Sequence, residues 1–242
     1  MKRFAAACVV LTCALFWPAN ARADEACWNA LDAAIAHRAA ATVPAYVRYD
    51  VRRSITQAEN LPLVTDQHIT YRSADGAARV EDSLFGGSAS YTYHLEPGPP
   101  FVGPSGSGRA GWNDAGEGAI AVVHAHAGKA CDDLGKETIS GRVTVHLRIT
   151  PHRGGAPGVR DLWIGENDEI WRAVVAQYLD GAAIAGVQGA ILFECTIEVR
   201  EDQGQAVVSA VRFSDQRLGV DGEYRFTGYA FSTAPPSGTF PP

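Results

Sequence analysis

The sequence predicts an α+β protein, mainly antiparallel β-sheet, with the sheet strongly curved around an N-terminal helix and a second, inserted helix. Three observations predict it. Near the start, Asp24 to Ala41 is rich in Ala and carries Trp28, Leu31, Ile35 and Ala39 at helical spacing. After Pro44, apolar residues alternate with polar ones at a period of two, in run after run. In the middle of the chain, Asn113 to Lys129 returns to helical spacing through Ile120, Val123 and Ala127.

The elements follow in order. Lys2 and Arg3, an apolar run from Phe4 to Trp17, and Ala21-Arg22-Ala23 form an export signal with a cleavage site after Ala23. The apolar run is about 14 residues, short of the roughly 20 needed to cross a bilayer. Cys13 would suit lipid attachment only with a small residue before it, and Thr12 stands there. The expected arrangement is a signal peptide over 1–23, one domain over 24–234 and a disordered tail over 235–242. Cleavage removes three of the 21 basic residues, leaving 18 against 27 acidic ones. Such a balance excludes nucleic acid and anionic membrane surfaces as partners.

Asp24 and Glu25 suit the positive end of the first helix, and Pro44 closes it. Strands follow. Val47, Tyr49 and Val51 alternate with Arg48, Asp50 and Arg52; Ile69 and Tyr71 alternate with His68, Thr70 and Arg72; Tyr91 and Tyr93 alternate with Thr92 and His94. Val143, Val145, Leu147 and Ile149 form another inward series, as do Ile191, Phe193, Cys195, Ile197 and Val199, and then Val207, Val211 and Phe213. Turn signals such as Ala74-Asp75-Gly76, Asp202-Gln203-Gly204 and Asp221-Gly222 separate them. The pattern predicts about eight to ten strands. Glu96 to Gly111, crowded with Pro and Gly, reads as a long loop. A sheet with one apolar face must cover it, and a curved sheet around the two helices uses all the parts.

Three cysteines remain after cleavage, which in an oxidising compartment suggests one bridge and one leftover thiol. Cys195 shares a strand face with Ile191, Phe193, Ile197 and Val199, so it is expected to be buried and inert. Cys27 and Cys131 lie in polar surroundings outside any strand pattern, and the bridge is expected between them.

The run Cys131-Asp132-Asp133-Leu134-Gly135-Lys136-Glu137-Thr138-Ile139-Ser140-Gly141 precedes a strand, and Asp161-Leu162-Trp163-Ile164-Gly165 leads into another at Ile170 to Val175. These segments resemble those of periplasmic proteins similar to the outer-membrane lipoprotein carriers. The resemblance covers residues 125 to 180. It implies a half-open barrel with helices on the concave side, and a cavity that holds acyl chains or senses mislocalised lipoproteins. Gly165 stands where that family usually has Asp. No ligand-binding residue of the carriers matches a position here.

Other motifs carry little chemistry. Gly106-Ser107-Gly108-Arg109-Ala110-Gly111 fits the dinucleotide pattern but follows Pro99, Pro100 and Pro104 instead of a strand. His124-Ala125-His126 on a helix would diverge by about 200°, which defeats chelation. His68, His94, His146 and His152 read as solvated. The acid pairs Asp132-Asp133 and Asp114/Glu117 fall on expected surface turns, and Gly103-Pro104-Ser105-Gly106-Ser107 lacks the closing glycine of a hydrolase elbow. The reading is of no catalytic residue, no metal and no cofactor.

That leaves the inward side of the strands. Val47, Tyr49, Val51, Tyr71, Tyr91, Tyr93, Val145 and Phe193 admit two readings: they line a cavity for an apolar ligand, or they are core packed against Trp28, Leu31 and Ile35. The expected function is a non-catalytic periplasmic binding protein for a lipid or acyl chain. An envelope protein–protein interaction module and, third, an exported hydrolase are the competing readings.

Overall fold

A computed structural model describes residues 19–41, 44–57, 61–74, 77–84, 87–94, 130–150, 158–178, 191–216 and 218–236. One helix, α1 (Ala19–Ala40), precedes eleven strands: β1 (Tyr46–Gln57), β2 (Leu63–Arg72), β3 (Ala77–Leu84), β4 (Gly87–His94), β5 (Ala130–Ile139), β6 (Arg142–Thr150), β7 (Gly158–Gly165), β8 (Ile170–Tyr178), β9 (Ile191–Asp202), β10 (Gln205–Asp215) and β11 (Val220–Ser232). That exceeds the expected count. The Glu96–Gly111 loop, the Asn113–Lys129 helix and the His124/His126 pair lie outside the described residues.

All eleven strands join one antiparallel sheet in the order β4-β3-β2-β1-β11-β10-β9-β8-β7-β6-β5. Two meanders, β1 to β4 and β5 to β11, meet where the first strand pairs with the last; β4 and β5 are the sheet's edges, so the barrel stays half open. Bulges help bend it. At one of them Gly228 and Tyr229 together face Tyr49, shifting the β1–β11 register between Arg48 and Asp50. Gly228 has φ +65°, and a Cβ there would meet Asp50 Oδ2 at 2.8 Å, so the position requires glycine.

The concave face holds the core. Cys27, Trp28, Leu31 and Ala34 of α1 join one buried cluster with Val47, Tyr49 and Val51 of β1, Ile69 and Tyr71 of β2, Leu147 and Ile149 of β6, and Cys195 and Ile197 of β9. The expected period-two faces are real for Val47-Tyr49-Val51, Ile69-Tyr71, Leu147-Ile149 and Cys195-Ile197-Val199, but Val143, expected inward, is 47 % exposed at the start of β6, beside the β5–β6 turn. The helix packs on β5 and, less extensively, on β7. The expected bridge joins them: Cys27 and Cys131 are disulfide-bonded, with Cα atoms 5.7 Å apart. Both cysteines are buried and Cys131 lies in a strand, which corrects the reading of polar surroundings outside any strand. Its neighbours Asp132 and Asp133 are exposed, which is why the strand was hard to see. They too sit on β5, not on a turn.

The glycines of the resembling segments have structural work. Gly135, φ +95°, sits in the bulge between Asp133 and Lys136 and donates its N–H to Asp133 Oδ1 at 2.8 Å. Ser140 and Gly141, φ 51° and 79°, make the two-residue β5–β6 turn. Gly165, the departure from the family, has a specific cause. A Cβ there would meet Trp171 Nε1 at 2.5 Å, so an Asp cannot fit unless that indole moves.

Candidate functional site

The concave face is the candidate site, and its centre lies where β1 meets β11. Along β1 the inward positions are Val47, Tyr49, Val51, Arg53 and Ile55, the outward ones Arg48, Asp50 and Arg52. Val47 faces Tyr71 on one side and Phe231 on the other; Val51 faces Gln67 and Phe226; Arg53 faces Thr65 and Tyr224. The aromatic rings meet in two groups. Tyr49 stacks on Tyr229 at 5.4 Å and meets Phe226 at 6.1 Å, Tyr229 stacks on Phe231 at 6.2 Å, and Phe213 meets Tyr224 at 5.4 Å. Buried Tyr229 donates its hydroxyl to the carbonyl of Val208 at 2.9 Å, and burial pushes that hydroxyl's pKa up.

Of the eight residues expected to line a cavity, Val47, Tyr49, Val51 and Tyr71 come together in the buried cluster, none more than 4 % exposed. Val145 and Phe193 are partly buried and pack against it. Tyr91 and Tyr93 stand on β4 opposite Val80 and Ala78, and their side chains lie outside the described set. Sequence reasoning missed Tyr224, Phe226, Tyr229 and Phe231 of β11. The signal was present: aromatics two apart, then two more, out of phase by the one residue that the Gly228 bulge inserts.

Cys195 is the free cysteine among the described residues; it is buried between Phe213 and Val175, and burial pushes its thiol up to about 12. It is inert as a nucleophile. Arg53 is different. Its guanidinium stands 5.3 Å from the Tyr224 ring centroid, on the inward side of the sheet.

The convex face is polar and cross-linked. Asp161 accepts hydrogen bonds from Arg148 (2.8 Å), Arg160 (2.6 Å) and His146 (3.0 Å). Burial alone would raise the Asp161 carboxyl; the hydrogen bonds from Arg160, Arg148 and His146 override it and hold the pKa below its ordinary value. His146 stacks on Trp163 at 4.2 Å, and its side chain is only 15 % exposed, which corrects the solvated reading: its cross-strand partner, an indole, covers it. Trp163 donates its indole N–H to Glu137 Oε2 at 2.5 Å. The Glu of the first resembling segment and the Trp of the second thus touch across β6. They are a structural clasp on the side away from the core.

A polar groove of about 460 Å³ opens on this convex side. Arg48, Asp50, His68, Arg79 and Glu81 line it, with His68 Nδ1 at 2.6 Å from Asp50 Oδ1. Among the described residues, no three His, Cys, Asp or Glu side chains gather in a way that could hold a metal, and no helix is long and apolar enough to cross a membrane.

No family model matches the chain, and no curated protein does. Solved structures similar to it include a LolA superfamily protein from Nitrosomonas europaea, 12 % identical over 86 % of this chain and 94 % of that one, with a TM-score of 0.43. A domain assigned to outer-membrane lipoprotein sorting from Vibrio parahaemolyticus is 14 % identical over 87 % and 95 %, TM-score 0.46. A DUF1329 family protein from Desulfovibrio piger is 12 % identical over 85 % and 92 %, TM-score 0.45.

Proposed function

We propose that this is a non-catalytic, exported binding protein that holds a lipid or acyl chain between α1 and the concave face of the half-barrel. The observation that carries the reading is the aromatic and aliphatic series of β1, β2 and β11, in one buried cluster with a helix that a disulfide ties to the sheet edge. A ligand entering there displaces side-chain packing and gains burial of its own, about 0.8 kcal/mol per CH2. Val47, Tyr49, Val51, Tyr71, Tyr91, Tyr93, Val145 and Phe193 are its proposed contacts. Export by cleavage after Ala23 puts the mature chain, a single domain, in the periplasm, where its disulfide persists.

The test is native mass spectrometry of the protein purified from its own host, followed by displacement of a fluorescent fatty acid. A co-purifying lipid, exchangeable for the probe, is the expected result. A ligand-free protein that does not bind the probe overturns the reading.

One observation favours the competing reading of an envelope interaction module. Leu61, 92 % exposed, and the exposed Leu63, Val64 and Leu218 stand near one end of the sheet, where Gln57 pairs with Val220. Exposed apolar groups gathered in this way suit a protein partner.

A further inference from the structure

The inward positions of β1 read Val47, Tyr49, Val51, Arg53, Ile55, and the fourth is a cation. Its environment is apolar on its own strand and aromatic on the next, where Tyr224 and Phe226 are buried. The Arg53 Nε–H is buried and has no hydrogen-bond acceptor, and among the described residues no carboxylate lies within ion-pair distance of its guanidinium. Many arginines elsewhere on the sheet have a carboxylate partner: Arg52 faces Asp66, Arg142 reaches Glu201, Arg172 and Arg212 share Glu198, and Arg160 spans Asp161 and Glu194. The Nε–H groups of Arg79 and Arg172 also lack an acceptor, but Arg79 pairs with Glu81 and Arg172 with Glu198 through another guanidinium nitrogen, as Arg53 does not. A buried donor without an acceptor is costly, and a guanidinium in a low-dielectric setting attracts an anion far more strongly than in water.

We infer that Arg53 is the headgroup anchor of the concave site, and that the ligand is an anionic amphiphile ending in a carboxylate or a phosphate. The inference rests on the binding function proposed above and adds polarity and direction to it. The Tyr224 ring holds the guanidinium by a cation–π contact. The planar fork of donors then offers the paired hydrogen bonds that a carboxylate or phosphate takes up. The apolar tail runs from there along Val51, Tyr49 and Val47, against Phe226, Tyr229 and Phe231. Six residues of strand give it a path of about 20 Å, the length of a long extended acyl chain, which the tail occupies by displacing the packing there. A neutral lipid of the same length takes the same path but leaves the Nε–H without its acceptor.

The probes are cis-parinaric acid and its methyl ester, titrated by fluorescence into the mature full-length protein. The wild type is expected to bind the acid at least tenfold more tightly than the ester. In Arg53→Gln the ratio falls to near one through loss of acid binding, with the ester unchanged; in Arg53→Lys several-fold preference survives, because charge remains and the fork does not. Arg52→Gln, on the opposite face, keeps the wild-type ratio. A monoacyl phosphate titrated beside the acid separates the two headgroups: whichever binds more tightly is the better match to the fork. A wild-type ratio near one, or a ratio that Arg53→Gln leaves intact, overturns the anchor while the binding function stands. Failure of the wild type to bind either probe overturns both. Near-UV circular dichroism checks each variant's fold, and if Arg53→Gln does not fold, the wild-type ratio and Arg53→Lys decide.

Discussion

The two faces of this sheet are made by the same strands and obey different physics. The concave face buries Val47, Tyr49, Tyr71, Phe226 and Tyr229, and its cohesion is packing. On the convex face, Glu137, His146, Asp161, Arg172, Glu198, Arg212 and Glu223 meet in ion pairs and hydrogen bonds that pass from strand to strand. Packing is short-ranged and shape-dependent, so the inner face responds steeply to lost volume. Ion pairs in water are screened and individually weak, so the outer face gains from number and from the few members that are buried. The comparison therefore predicts that damage scales with burial, whichever face it strikes.

The largest effect is expected from Tyr49→Ala. It removes a ring that touches both Phe226 and Tyr229 and leaves a cavity; a loss of about 3–4 kcal/mol in urea unfolding is expected. A loss below about 1 kcal/mol would mean that the inner face is loosely filled, and would break the contrast. Asp161→Asn comes next, at about 2 kcal/mol near neutral pH, because the carboxylate that three donors share is lost on a face otherwise half wet. Its pH dependence has a definite sign. The folded pKa of Asp161 lies below its unfolded value, so its contribution is present above about pH 4 and vanishes as the pH falls through the folded pKa. Urea midpoints measured from pH 7 to pH 2.5 should therefore fall less steeply in Asp161→Asn than in the wild type; parallel curves would refute the assignment. The smallest effect belongs to Arg225→Ala, whose exposed side chain donates to Glu223 at 2.8 Å. A change within about 0.5 kcal/mol is expected, and less in high salt.

The same contrast explains what the sequence could tell. A strand with one dry and one wet face writes its own alternation, so β1, β2, β6 and β9 were readable from Val47-Tyr49-Val51 and its counterparts. In β3 the sequence Ala77-Ala78-Arg79-Val80-Glu81-Asp82-Ser83-Leu84 has no sustained apolar alternation around buried Val80. In β11 the alternation is real, but the extra residue at Gly228 inverts its phase, so a fixed period loses it. Cys195 could be assigned as inert from its strand, and the bridge followed from what remained. The convex network could not be foreseen. His146 occupies a polar position like any other until the register sets it against Trp163, and register is a property of pairs of strands. Arg53 was hidden for the opposite reason: an arginine next to an arginine looks like surface, and only the parity of β1 turns it inward.

The bond between Cys27 and Cys131 has a consequence for how the site can be reached. It fixes the helix at Cys27, in its first half, to an edge strand, while near the helix's last turn His37 Nε2 only approaches Glu169 Oε2, at 3.4 Å. Any excursion of this part of the helix is thus a rotation about a pinned point, with the His37 side swinging away from it. Reducing the bond would remove that pivot and leave the helix held to the sheet by packing and by its own chain connection to β1.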